Sequence, residues 1–155
     1  MKKKKALDPD ECIFCDVTPE NDFRIEYEDD EFICFHDIDP HGPIHLLVIP
    51  REHIANVDSL DASHLDMVKR MAELGKNLLR KHGIEVEKED IDMRRLGFHL
   101  PPYRSVDHLH LHCIGLPLKP FTARAMFPTF KTAWYAPVEH VIDRLEKLKF
   151  PRNQL

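Results

Sequence analysis

An α+β fold, one antiparallel sheet with two helices, is predicted by three observations. Short apolar or alternating runs recur at 23–38, 44–50, 92–100 and 107–115, separated by Pro, Gly and acidic punctuation. A long stretch after residue 59 switches to helical spacing. A second helical stretch follows near 138–149. Strands gathered in this way, with helices set apart from them, give α+β rather than alternating α/β order.

"FRIEYEDDEFICFHDI" reads as a hairpin turning at Asp29-Asp30. "IHLLVIP" (44–50) is a third strand, apolar nearly throughout and therefore central. A helix is expected from Ser59 or Asp61, with Leu65, Val68, Ala72, Gly75 and Leu79 as its stripe and Gly83 as its stop. "DMRRLGFHL" and "DHLHLHCIG" supply strands four and five, and Pro101-Pro102 falls harmlessly in the connection. In the last helix Val138, Val141, Ile142, Leu145 and Leu148 share a face.

The chain has 155 residues, enough for one domain with a core of its own. Its division is expected to be a disordered basic tail at 1–9, a domain at 10–116, and a C-terminal extension at 117–155 whose helix packs on that domain. With 43% hydrophobic and 32% charged residues, the composition is that of an ordinary soluble protein. No apolar run approaches the roughly 18 residues of a membrane span. Lys2–Lys5 is not followed by an apolar stretch, and neither end carries a lipidation signal, so no membrane partner is expected. A net charge of −5 argues against nucleic acid as a general partner. The chain reads as cytoplasmic, with the lysine run leaving a nuclear location open.

"DHLHLHCI" carries the chemistry. His108, His110 and His112 alternate with Leu109 and Leu111, so on a strand the leucines enter the core while the histidines line the opposite face. Neighbours in the row lie about 6.8 Å apart, and the outer two about 13–14 Å. Zinc needs each nitrogen at about 2.0–2.1 Å, so three such histidines cannot converge on one ion without straining the strand. The row must be split. Cys12 and Cys15 form a C-x-x-C, which in a reducing compartment is a metal site or a redox pair. Its place before a β-rich region, not between a strand and a helix, favours metal. His53 and one end of the row complete a Cys₂His₂ set, leaving the middle histidine, His110, for chemistry. Cys34 and Cys113 sit among apolar residues as small core side chains.

"HLHLHCI" resembles the His-φ-His-φ-His-φ-φ signature of the histidine triad superfamily, φ being apolar. "FHDIDPHGPIHLLVIPREHI" (35–54) is similar to the same family's first-half signature, and Ser105 precedes the row as it does there. The likeness covers residues 11–116. "RRLGFHLPPYRSVDHLHLH" and "WYAPVEHVIDRLEKL" look like the third branch of histidine triad nucleotide-binding proteins, and more distantly like aprataxin.

The resemblance implies a five-stranded sheet with a long central helix, a homodimer, and purine nucleoside monophosphates as ligands. It implies a hydrolase of the adenosine 5'-monophosphoramidase type. Such an enzyme cleaves the P–N bond of nucleoside phosphoramidates, with amine or lysine leaving groups, through a nucleotidyl-histidine. No cofactor is then needed for catalysis. Carried over, His110 is the nucleophile, His112 steadies the phosphate, Asp37 binds the ribose hydroxyls and Ser105 lies near the bridging atom. A structural zinc would have Cys12, Cys15, His53 and His108 as ligands. Where the family has a glycine-rich loop, Pro101 and Pro102 offer no amide protons, and Arg104 is expected to supply the anion contact. His99 is expected to reach the nucleotide from the fourth strand. Ile25, Phe35, Ile38, Leu46 and Val48 are candidate walls of a purine pocket. The alternatives are an aprataxin-like deadenylase, a dinucleoside polyphosphate hydrolase, and a zinc-stabilised nucleotide-binding scaffold without turnover.

An imidazole suits the part. Its ordinary pKa of about 6.5 leaves it neutral and nucleophilic near pH 7. Once joined to phosphorus it is a fair leaving group, which divides one hard displacement into two easier ones.

Overall fold

The computed structural model describes residues 12–87, 94–103 and 106–152. The tail at 1–9, with Lys2–Lys5, lies outside them, as do Arg104 and Ser105. Among the described residues, six antiparallel strands form one sheet, in the order β1-β2-β3-β5-β4-β6. They are β1 (Ile25–Glu28), β2 (Phe32–His36), β3 (Ile44–Pro50), β4 (Arg94–His99), β5 (Leu111–Gly115) and β6 (Tyr135–Pro137). The helices are α1 (Leu65–Lys81), the single turn α2 (Ala123–Met126) and α3 (Val138–Lys149).

The sequence predicts five strands; the sixth, β6, is three residues long and ends on a proline, too short for a period of two to be seen. It pairs Phe98 with Ala136 and His99 with Tyr135 on the outer edge of β4. The hairpin turns where expected, because the Asp29 carboxylate accepts the backbone N–H groups of Glu31 (2.8 Å) and Phe32 (2.7 Å). The long helix starts later than expected. Two 3₁₀ turns, Val57–Ser59 and Ala62–His64, precede Leu65, and the Asp61 side chain caps the second of them. Gly83 stops it as expected, at φ 78°. Its N–H reaches the Arg80 carbonyl and that of Ile84 the Leu79 carbonyl, the pairing of a Schellman cap.

Strand parity sorts the side chains. Phe32, Cys34, Leu46, Val48, Leu96, Phe98, Leu111 and Cys113 face α1 and α3 in one continuous core. Each fully buried Leu or Val there contributes roughly 1.5–3 kcal/mol. The opposite face carries Ile33, Phe35, Leu47 and Ile49, covered by Phe14 and Val17 of the N-terminal segment. Toward β4 and β6 the same face is covered by Leu118, Ala123 and Phe127.

Candidate active site

β5 begins at Leu111, so His112 is in the strand while His108 and His110 precede it. The β3–β5 ladder ends at Val48 and Leu111, and beyond it the Leu109 N–H donates to the Ile54 carbonyl. Leu109 and Leu111 enter the helix-side core. The row itself is not an open polar face: His108, His110 and His112 are 0, 8 and 6% exposed. Phe14 covers one end, its ring 5.4 Å from that of His110. Phe127 covers the other, 5.2 Å from His112. Both covers come from segments outside the row, which is why alternation within it gave no warning of them.

The structure divides the three histidines. His108 lies with Cys12, Cys15 and His53, whose ligand atoms are all within 4.8 Å of one another. Its Nδ1 is 3.5 Å from the Sγ of Cys12 and of Cys15, and His53 Nδ1 is 3.1 Å from Cys15 Sγ. The edge of a tetrahedral S₂N₂ site is about 3.5 Å for a nitrogen–sulfur pair at ordinary bond lengths. His108 Nε2–H donates to the Pro50 carbonyl at 2.8 Å, which leaves Nδ1 with its lone pair turned to the sulfurs. A carbonyl partner of this kind is the usual support of a metal-bound imidazole. Burial lowers the pKa of His108 and keeps the ring neutral. Partial desolvation of its sulfur, then a hydrogen bond with Cys12, raises the exposed Cys15 to about 11. The four residues fit a metal ion by donor type and by spacing.

His110 is held differently. Nδ1–H donates to the His108 carbonyl at 2.7 Å, so the lone pair of the neutral ring is on Nε2. Burial brings its pKa down to about 4.

His112 belongs to a third arrangement, with Asp37 and His45. The His41 backbone N–H donates to His45 Nδ1 at 3.0 Å. His45 must then carry its proton on Nε2, 2.9 Å from His112 Nδ1 and 3.3 Å from Asp37 Oδ2. His112 in turn carries its proton on Nε2, a buried atom without a hydrogen-bond partner among the described residues. Burial lowers His45 to about 3 and His112 in the same direction, and burial also raises the Asp37 carboxyl. A line of imidazole protons thus ends, among the described residues, on a donor available to an acceptor such as a phosphate oxygen.

His99 is beside this group, its ring 4.9 Å from His112, but its Nε2 is 2.9 Å from the Met126 carbonyl. Of the expected pocket walls, Ile25 and Phe35 line the site face and Ile38 is open to solvent. Leu46 and Val48 face α1, because their parity on β3 is opposite to that of Leu47. His45, Phe14 and Phe127 were not among the expected site residues. His45 shares the site face with Leu47 and Ile49; reading β3 as uniformly apolar hid that alternation.

A buried histidine row, divided among an S₂N₂ cluster, an imidazole whose lone pair is on Nε2 and a histidine–carboxylate group, defines a class. Residues 11–126 match the family described as scavenger mRNA decapping enzyme C-term binding, and the chain belongs to it and thereby to the histidine triad superfamily. It is similar to the adenosine 5'-monophosphoramidase HINT3 of Danio rerio, 40% identical over 142 residues, covering 89% of this chain and 84% of the relative. It is 41% identical over 112 residues to the bifunctional adenosine 5'-phosphosulfate phosphorylase/adenylylsulfatase HINT4 of Arabidopsis thaliana, covering 70% and 73%. Among solved structures, a HIT family hydrolase from Clostridium thermocellum matches with a TM-score of 0.59 and 30% identity, covering 72% of this chain and 94% of that one.

Proposed function

We propose that this chain is a nucleotide hydrolase that cleaves the P–N bond of purine nucleoside phosphoramidates through a nucleotidyl-histidine at His110. The observation that carries the reading is the Nδ1–H bond of His110 to the His108 carbonyl, which leaves the lone pair on Nε2 and so supports that atom as the nucleophile. In the first step Nε2 attacks the α-phosphorus and forms a P–Nε2 bond, the P–N bond to the leaving group breaks, and the departing nitrogen takes a proton from solvent water and leaves as the amine. The positive charge then formed on the imidazole is stabilised by the carbonyl that accepts from Nδ1–H. In the second step water attacks the same phosphorus, the P–Nε2 bond breaks, one water proton passes to solvent, and the monophosphate leaves with His110 neutral again. His112 Nε2–H donates to a phosphate oxygen, and Asp37 accepts from the ribose hydroxyls. His99 borders the phosphate. Ser105 at the leaving-group atom and Arg104 at the anion keep the roles that the resemblance and the sequence assign them.

The donor set Cys12, Cys15, His53 and His108 is the closed S₂N₂ kind that zinc occupies, and its role in this reading is structural. The division into a domain at 10–116 and an extension at 117–155 packed on it draws support from β6 on the edge of β4 and α3 against α1. A homodimer and a cytoplasmic, also nuclear, location belong to the same reading. No helix among the described residues is long and apolar enough to cross a membrane.

The test is intact mass after brief mixing with adenosine 5'-phosphoramidate. The wild type is expected to gain one adenylyl group and then release AMP, and His110→Ala to do neither. Nucleotide bound without label or product would sink the hydrolase reading in favour of a binding protein.

A further inference from the structure

Besides the His112 ring at 5.1 Å, two supports of His110 belong to residues tied into the four-ligand group. The first is the His108 carbonyl, which accepts from His110 Nδ1–H at 2.7 Å while the His108 ring faces both sulfurs. The second is Phe14, which stands between Cys12 and Cys15 in the 3₁₀ turn Ile13–Cys15. Its ring meets His110 edge-on at 5.4 Å and is backed by Phe35 at 5.2 Å. Phe14 is only 7% exposed, although Ile13 and Cys15 on either side of it are open to solvent. A three-residue turn has little cohesion of its own. At its two ends Cys12 and Cys15 approach His108 and His53, and just beyond it Asn21 Nδ2 donates to the Asp16 carbonyl at 3.0 Å.

We propose that the four-ligand group is the clamp that aims the nucleophile, acting on His110 through Phe14 and the His108 carbonyl. Phe14 is then a positioning residue of the reaction, and the metal ion is coupled to the chemistry through this chain's own side chains. The inference deepens the function proposed above and rests on it for the role of His110. Loosening the clamp frees the His110 ring to rotate about its side-chain bonds and to exchange tautomers, which moves the lone pair away from phosphorus. A misplacement of about 1 Å is enough to cost on the order of a hundredfold in rate.

The experiment compares the full chain as wild type, Cys15→Ser, Phe14→Leu and the double variant, and the wild type after chelation, with circular dichroism to follow the fold. Two quantities are read: the His110 tautomer by long-range ¹⁵N–¹H imidazole spectra, and the rate of adenylyl labelling. The wild type is expected to hold a single Nδ1–H form. Cys15→Ser, Phe14→Leu and chelation are each expected to give mixed tautomers and labelling ten- to a hundredfold slower. The double variant is expected to be little worse than either single one. The proposal is overturned if His110 keeps the Nδ1–H form in a folded, metal-free chain, or if the two substitutions slow labelling independently. Should Cys15→Ser unfold the chain, Phe14→Leu with its metal retained decides alone, and an unchanged tautomer there also overturns it. Failure of every version to label would count against the hydrolase reading, and the spectra would still decide this one.

Discussion

His45 Nε2 lies 2.9 Å from His112 Nδ1, and the His41 backbone N–H behind it fixes which of the two rings donates. The orientation of a buried imidazole is thereby determined by a main-chain group two links away. His112 cannot adopt the other tautomer without placing two N–H groups face to face.

Removing His45 therefore removes the direction of the His112 proton. His45→Phe keeps a ring of comparable size in the site but cannot donate. It is expected to lower kcat on adenosine 5'-phosphoramidate about ten- to a hundredfold, with AMP affinity changed much less, because wrong-tautomer defects fall on the reaction rather than on packing. Stopped-flow turnover beside calorimetric AMP binding separates the two. An unchanged kcat would mean that His112 is oriented by something else.

Burial of neutral histidines also has a signature in stability. His45 falls to about 3, and His112 and His99 are lowered by the same cause, while the unfolded chain titrates near the ordinary value of 6.5. Below that value the unfolded chain binds protons that the folded chain refuses, so stability falls as pH drops from about 6.5 toward 5, by up to about 1.4 kcal/mol per pH unit for each such group. Glu26, lowered against burial by its bonds to His36 and His82, adds to the loss further down, as pH falls below its ordinary 4.5. Asp37 is raised and opposes the loss in that lower range. Urea midpoints at pH 7.5, 6.5, 5.5 and 5 are expected to decline, with a shallower slope in His45→Phe. A flat profile across this range would contradict a neutral, buried relay.

The sulfur–nitrogen group makes a third expectation. Purified protein should carry about one zinc per chain by elemental analysis, and Cys12→Ser should lose it. The melting temperature of the wild type should fall on chelation and recover on adding zinc back. Closed S₂N₂ sites contribute to folding outright, so a melting temperature indifferent to chelation would leave the cluster without its structural role.

How much of this was legible beforehand depends on the range of the signal. A rise of about 3.4 Å per residue argued that the three histidines would not all converge on one ion without strain; the structure groups His108 with Cys12, Cys15 and His53, and His112 with Asp37 and His45. The hairpin turn at Asp29 and the stop at Gly83 were readable because their chemistry lies within four residues. His45 was not, since its partner His112 is 67 residues away and only the β3–β5 register brings the two together. Phe14 escaped for the same reason, lying far from the histidine it covers, whereas Phe127 is nearer in sequence but sits just past a one-turn helix with no period to read. β6 escaped because three residues carry no period.

Gly75 presents the same problem of register in the core, and it yields the sharpest test of the packing. It sits in the apolar stripe of α1, where sequence alone would count alanine as an improvement worth about 1 kcal/mol of helix propensity. A Cβ there would lie 2.6 Å from Cys113 Sγ and 3.3 Å from Leu96 Cδ2, so the helix rests on β5 by way of the missing methyl group. Overpacking of this kind costs about 1–3 kcal/mol, which outweighs the propensity gain. Gly75→Ala is expected to lower the urea midpoint in spite of its better helix former. Cys113→Ala in the same chain removes the sulfur that the new methyl meets, and it should cost less in the Gly75→Ala background than in the wild type. That difference, read from the four members of a double-mutant cycle, isolates the contact from the helix propensity. A stabilised Gly75→Ala, or two substitutions whose effects simply add, would mean that α1 stands further from β5 than this packing requires.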